Sequence, residues 1–173
     1  MASNSIYLAV FDRAKGDNSV HVAILFTPQN PPANQQTSFM LHAMNYPIPK
    51  TKPSDPEIGW KFQSRPAFAR TPLLRSLVLL GTTKRNAAEI EDLLKKVPVG
   101  QGNDFDCQVW AMDAVRYLTK SKTIPQLRIS LDDLYKIAKN MAIKFQGVKP
   151  EDRMKRAIPT CDTAGNEIQS EVL

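Results

Sequence analysis

The sequence predicts an α+β fold in which an antiparallel β-sheet packs against a helix carrying a cysteine at its N-terminus. Three observations point there. Strand-like runs rich in β-branched and aromatic residues fill the first half of the chain. Capped runs of helical period follow residue 84. One of the two cysteines, Cys107, opens such a run, DCQVWAMDAVRYL, behind two aspartates able to cap it.

The elements follow in order. SIYLAVFDR reads as a first strand, and AKGDNS supplies turn residues. VHVAILFTP is an almost continuous apolar run, the pattern of a central strand buried on both faces. PQNPPANQQ is a second turn, and TSFMLHAMNY a third strand, so that a meander is expected. Residues 47–72 hold six of the thirteen prolines, which excludes a long helix or a central strand. A short strand around IGWKFQ, with Trp60 and Phe62 on one face, is the exception. The rest of that segment reads either as a surface crossing or as a substrate-side loop. LLRSLVLLGTT returns as a buried strand.

Three helices close the pattern. In KRNAAEIEDLLKKVP, Asn86 and Glu89 have capping-box spacing, Ile90, Leu93, Leu94 and Val97 form a stripe, and Pro98 ends it. In the helix after Cys107, Asp104 and Asp106 are the cap candidates, and Val109, Trp110, Ala114, Val115 and Leu118 are expected inward. SLDDLYKIAKNMAIKF begins with a Ser130–Asp133 cap pair and is expected to bury Leu134, Ile137, Met141 and Phe145. One domain over 1–146 is expected, followed by a polar, mobile tail over 147–173 in which Cys161 is exposed and inert.

Composition narrows the function classes. Twenty-three basic against seventeen acidic residues leave a net charge of +6, and the pI is near 9.4. The basic residues are dispersed, as on a solvated surface, yet an anionic substrate or an RNA partner fits the sign. No run has the length of a membrane span; LLRSLVLLG is interrupted by Arg75. MASNSIYLAVFDR lacks a basic leader region, and the reading is a cytoplasmic protein. The cysteines offer neither a disulfide framework nor metal-ligand spacing, and no cofactor is expected. Oligomeric state is not legible.

The chemistry is expected at Cys107. A thiol opening a helix feels the partial positive charge of unpaired N–H groups, which favours the thiolate. The same N–H groups can hold an oxyanion, with Gln108 as a candidate side-chain donor. Asp106, beside the thiol, works against the thiolate. The only two histidines, His21 and His42, lie in consecutive predicted strands. Either alone reads as a half-buried polar residue bonded to backbone. Together with Cys107 they form a nucleophile, a base and an orienting group. Trp60 is a substrate-side candidate on the Pro-rich segment.

At these residues the sequence resembles a known group. His21 in HVAIL, His42 in MLHAM and the later DCQVW are similar to the motifs of permuted papain-like proteins. Those include the lecithin retinol acyltransferase group and relatives of bacterial cell-wall cysteine peptidases. The run from IYLAVFDR to DCQVWAMDAVRYL also resembles a family of short uncharacterised fungal proteins, over about residues 5–145. Asp106 stands where that pattern has Asn, and Val22 where it has an aromatic residue. The resemblance implies a permuted papain-like fold and a Cys–His–His site. The expected function is thiol-dependent acyl transfer, by a hydrolase or an acyltransferase acting on an amide, ester or thioester. The substrate would be a small molecule or carrier-bound acyl group, aminoacyl-tRNA among the anionic examples. A non-catalytic papain-like binding module and a nucleic-acid-binding protein are the alternatives.

Overall fold

The computed structural model describes residues 3–13, 19–54 and 58–172. The fold is mixed α+β: a six-stranded, open, mostly antiparallel sheet with a few helices. Its strands are β1 (Asn4–Asp12), β2 (Val20–Pro28), β3 (Ser38–Pro47), β4 (Ile58–Ala67), β5 (Leu74–Thr83) and β6 (Thr160–Cys161), in the order β4-β3-β2-β1-β5-β6. The first three form the expected meander, and β4 extends it by pairing antiparallel with β3. β5 pairs antiparallel with β1, and β6 runs parallel to β5. The Pro-rich segment contains β4, ten residues long, and β4 sits at the sheet edge, where proline's missing N–H is tolerated.

Helices α1 (Ala87–Leu94), α2 (Cys107–Lys120), α3 (Leu131–Ile143) and α4 (Pro150–Arg153) follow. The Asn86–Glu89 capping box is present, and Ser130 caps α3 by accepting from the Asp133 N–H. α2 lies against β2 and β3, so an antiparallel sheet does pack on the cysteine-bearing helix. The main core is built on that face from Ile6, Leu8, Val22, Ile24, Leu41, Trp110, Ala114 and Leu118, among others. Trp60 and Phe62 both pack against this core from β4. A second, smaller core with Tyr7, Leu25, Leu77, Phe145, Ile158 and Val172 covers part of the other face. Gly81 allows the close approach of the following chain, because a Cβ there would meet Pro125 at 2.7 Å.

Two expectations about burial are corrected. Val109 is 40 % exposed; the buried stripe of α2 runs instead through Cys107, Trp110, Ala111, Met112, Ala114, Val115 and Leu118. The segment after residue 147 is not a free tail. Cys161 is completely buried in β6, and Ile158 and Val172 enter the second core. The Glu171 carboxylate accepts hydrogen bonds from the buried Ser5 and Tyr7 hydroxyls, at 2.9 and 3.2 Å. Its apolar residues are too widely spaced to show a period, which hid the packing from pattern reading.

Candidate active site

Strand alternation sorts the residues of β2 and β3 onto two faces. Val22, Ile24, Leu41 and Ala43 join the main core under α2. His21 and Leu25 of β2 and Met40 and His42 of β3 alternate to the opposite side and line a cavity of about 580 Å³, which Ala43 and Trp60 also border. The β2–β3 ladder is only three pairs long, from Ile24–Leu41 to Phe26–Phe39. Both histidines lie beyond its end, where their rings bridge the two strands. His21 Nε2 and His42 Nδ1 are 2.7 Å apart, with the rings edge to face. His42 is directly opposite Gln63 in the β3–β4 register, and its Nε2 is 2.9 Å from the Gln63 Oε1.

This chain fixes the tautomers. The Gln63 carbonyl oxygen can only accept, so His42 Nε2 carries the proton and its Nδ1 is a lone pair. His21 must then donate from Nε2, which leaves the lone pair of a neutral His21 on Nδ1. Burial disfavours a charged ring at both positions. The His21 pKa falls to about 3, through desolvation first, then His42, Arg13 and Arg65. For His42, desolvation also lowers the pKa, the Gln63 hydrogen bond opposes that, and Arg65 adds to it. Both rings are neutral at ordinary pH and share one fixed hydrogen-bonded orientation.

Cys107 is the first residue of α2, as expected. Of the two cap candidates the fold uses Asp106, whose backbone is extended and whose side-chain Oδ1 accepts the Val109 N–H at 2.9 Å. The thiol is 2 % exposed. Among the described residues it makes no hydrogen bond to either histidine, and it is not part of the cavity lining. Its polar neighbour is Arg13, whose Nη2 lies 3.3 Å from Sγ. Arg13 follows the last residue of β1, at the end of the β1–β2 hairpin where His21 pairs with Phe11, and it lines the cavity with His21. The structure joins the two histidines directly, whereas the thiol meets only Arg13, which lines the cavity with His21.

The remaining candidates take simpler places. Gln108 is half-buried on the first turn of α2. Trp60 lines the cavity and packs edge to face on Phe105, two residues before Cys107, with ring centroids 5.7 Å apart. Gln101 fixes its backbone from both sides, accepting from the Trp60 N–H and donating to its C=O. Part of the Pro-rich segment lines the same cavity, through Arg65, Pro66, Phe68 and Pro72. Sequence reading missed Arg13, Gln63 and Arg65. For Gln63 a signal existed, because it lies in the strand predicted to follow His42 and shares its polar face. For Arg13 there was none beyond its place at a strand end.

A charge cluster supports this end of β1. Asp12 is paired with Arg75 at 3.2 Å and with the buried Arg153 of α4. Arg70 donates to the carbonyls of Arg153 and Arg156. Among the described residues, no group of three His, Cys, Asp or Glu side chains is placed to hold a metal ion. No helix there is long and apolar enough to cross a membrane. Residues 4–162 match DUF6914, a family of unknown function, and the chain belongs to that family. No curated protein and no solved structure matches it.

Proposed function

Starting from a family whose function is unknown, we propose that this protein is a thiol-dependent acyl-transfer enzyme on a permuted papain-like scaffold. The observation behind the reading is the hydrogen-bonded chain His21–His42–Gln63 in a cavity also lined by Arg13, whose guanidinium meets a cysteine that opens a helix. Buried imidazoles held in one tautomer by a side-chain amide are costly to keep for packing alone, and they mark functional sites. Cys107 Sγ would attack the acyl carbonyl, displacing the leaving group and forming a thioester. Water or an acceptor would then attack that thioester while His21 takes its proton. The α2 N-terminus would hold the oxyanion. The cavity, apolar through Leu25, Met40, Phe68 and Leu73 and cationic through Arg13 and Arg65, suits an acyl chain attached to an anionic group or carrier.

Intact-mass spectrometry after incubation with octanoyl and acetyl thioesters tests this. An acyl adduct should form on Cys107, be absent in Cys107→Ala, and form or decay about 100-fold more slowly in His21→Ala. An adduct on Cys161, or none with any acyl length, would sink the reading.

One observation favours a second reading, a papain-like binding module without catalysis. The thiol is almost fully buried and makes no direct hydrogen bond to His21 among the described residues. In that case the cavity would bind the same thioester, with its affinity lowered by Arg65→Ala, and leave it intact.

A further inference from the structure

We propose that Arg13 is the charge partner of Cys107: its guanidinium, rather than an imidazolium on His21, holds the sulfur as a thiolate. The inference rests on reading Cys107 as a nucleophile and adds a residue to that site.

The geometry is the first support. A guanidinium has donors only, so an Arg13 Nη2–Sγ separation of 3.3 Å makes the sulfur the acceptor. A thiolate is the stronger acceptor, so the contact favours S⁻ over S–H. The second support is what the histidines are doing. The His21 Nε2–H is given to His42, whose own Nε2–H is given to Gln63, and neither ring bonds the sulfur among the described residues. Charging this pair would place an imidazolium in a half-buried pocket facing Arg13 and Arg65. The third is the placement of Arg13 itself. The adjacent carboxylate, Asp12, is committed to Arg75 and Arg153, while Arg13 lines the cavity and touches the thiol.

The division of labour differs from that of a thiolate–imidazolium pair. The thiol proton leaves to solvent before substrate binds, and the thiolate forms the S–C bond as the leaving group takes its bonding pair. In the second half, the incoming water or acceptor forms its bond to the acyl carbon and gives its proton to neutral His21. The C–S bond breaks, and its electron pair returns to sulfur beside Arg13. His21 then passes the proton to solvent.

The test is the pH dependence of Cys107 alkylation by iodoacetamide, a neutral reagent that Arg13 does not steer, in the full chain carrying Cys161→Ala. Arg13→Gln should move the midpoint of the rate profile up by about one pH unit or more, close to tenfold slower reaction at neutral pH. Arg13→Lys, which keeps the charge, should recover most of that, and His21→Gln should shift the midpoint by less than about 0.3 unit. Thiolate absorbance at 240 nm, lost in Cys107→Ser, gives a second readout that does not depend on reagent access. An unmoved midpoint in Arg13→Gln overturns the proposal. So does a shift produced by His21→Gln alone, although acyl adducts on Cys107 would then leave the acyl-transfer reading standing. An Arg13-dependent thiolate that never acylates has the opposite meaning: the charge partner is right and the enzyme reading is wrong.

Discussion

At Asp106 two roles of one carboxylate pull against each other. As N-cap it accepts the Val109 N–H at 2.9 Å and so starts the helix that presents Cys107. As an anion next to the thiol it opposes a thiolate. Asn has the same accepting oxygen and no charge, so the roles can be separated. Asp106→Asn should leave stability within a few tenths of a kcal/mol and speed Cys107 alkylation at neutral pH. Asp106→Ala should cost about 1 kcal/mol, because the cap is lost. Urea denaturation and alkylation rates on the same two variants check both statements. Equal stability of the Asn and Ala variants would mean the cap bond contributes nothing.

Among the elements, the short strand β6 and the chain after it do more than their length suggests. Ser5 is fully buried and Tyr7 is 1 % exposed, and their hydroxyls share the Glu171 carboxylate. Burial and that carboxylate together push the Tyr7 pKa well above the usual phenol range. Glu171→Ala would leave two buried hydroxyls without this acceptor, so a loss of about 1–3 kcal/mol is expected by urea denaturation. A change below about 0.5 kcal/mol would show that the C-terminal chain is only resting on the sheet. Four long strands and the three long helices were legible from alternation, continuous apolar runs or caps, as in SFMLHAMNY, VHVAILFTP, Asn86 with Glu89 and Ser130 with Asp133, whereas β4 showed only as a short strand around IGWKFQ. β6 was not, because two residues have no period and parallel pairing with β5 is decided by tertiary packing. The same distinction holds at the site. His21, His42 and Cys107 were legible from residue type and element position. The Arg13 contact needed the fold, because it joins residues 94 apart through a strand end that no local pattern describes.

For the whole molecule, the buried histidine pair should make the protein acid-labile before its carboxylates titrate. In the unfolded chain both rings protonate near pH 6.5, whereas in the fold His21 does so only at about 3, and His42 is also lowered. The unfolded state therefore binds more protons as pH falls below 6.5. The pair's contribution is complete above that pH and is lost on acidification toward the folded-state pKa. Asp and Glu in an unfolded chain titrate near 3.9–4.3, so the window from about 6.5 to 4.5 belongs to the histidines, the only two in the chain. One ring kept neutral while its unfolded counterpart charges removes up to about 2 kcal/mol between pH 7.5 and pH 5. Partial exposure of His21 reduces this. Urea midpoints at the two pH values should therefore fall for the wild type. They should fall much less for His21→Gln with His42→Gln, whatever the absolute stability of that double variant. An equal fall in both proteins would place the acid sensitivity elsewhere. The same two rings that Gln63 holds in one tautomer would then set the acid sensitivity of the fold in that window.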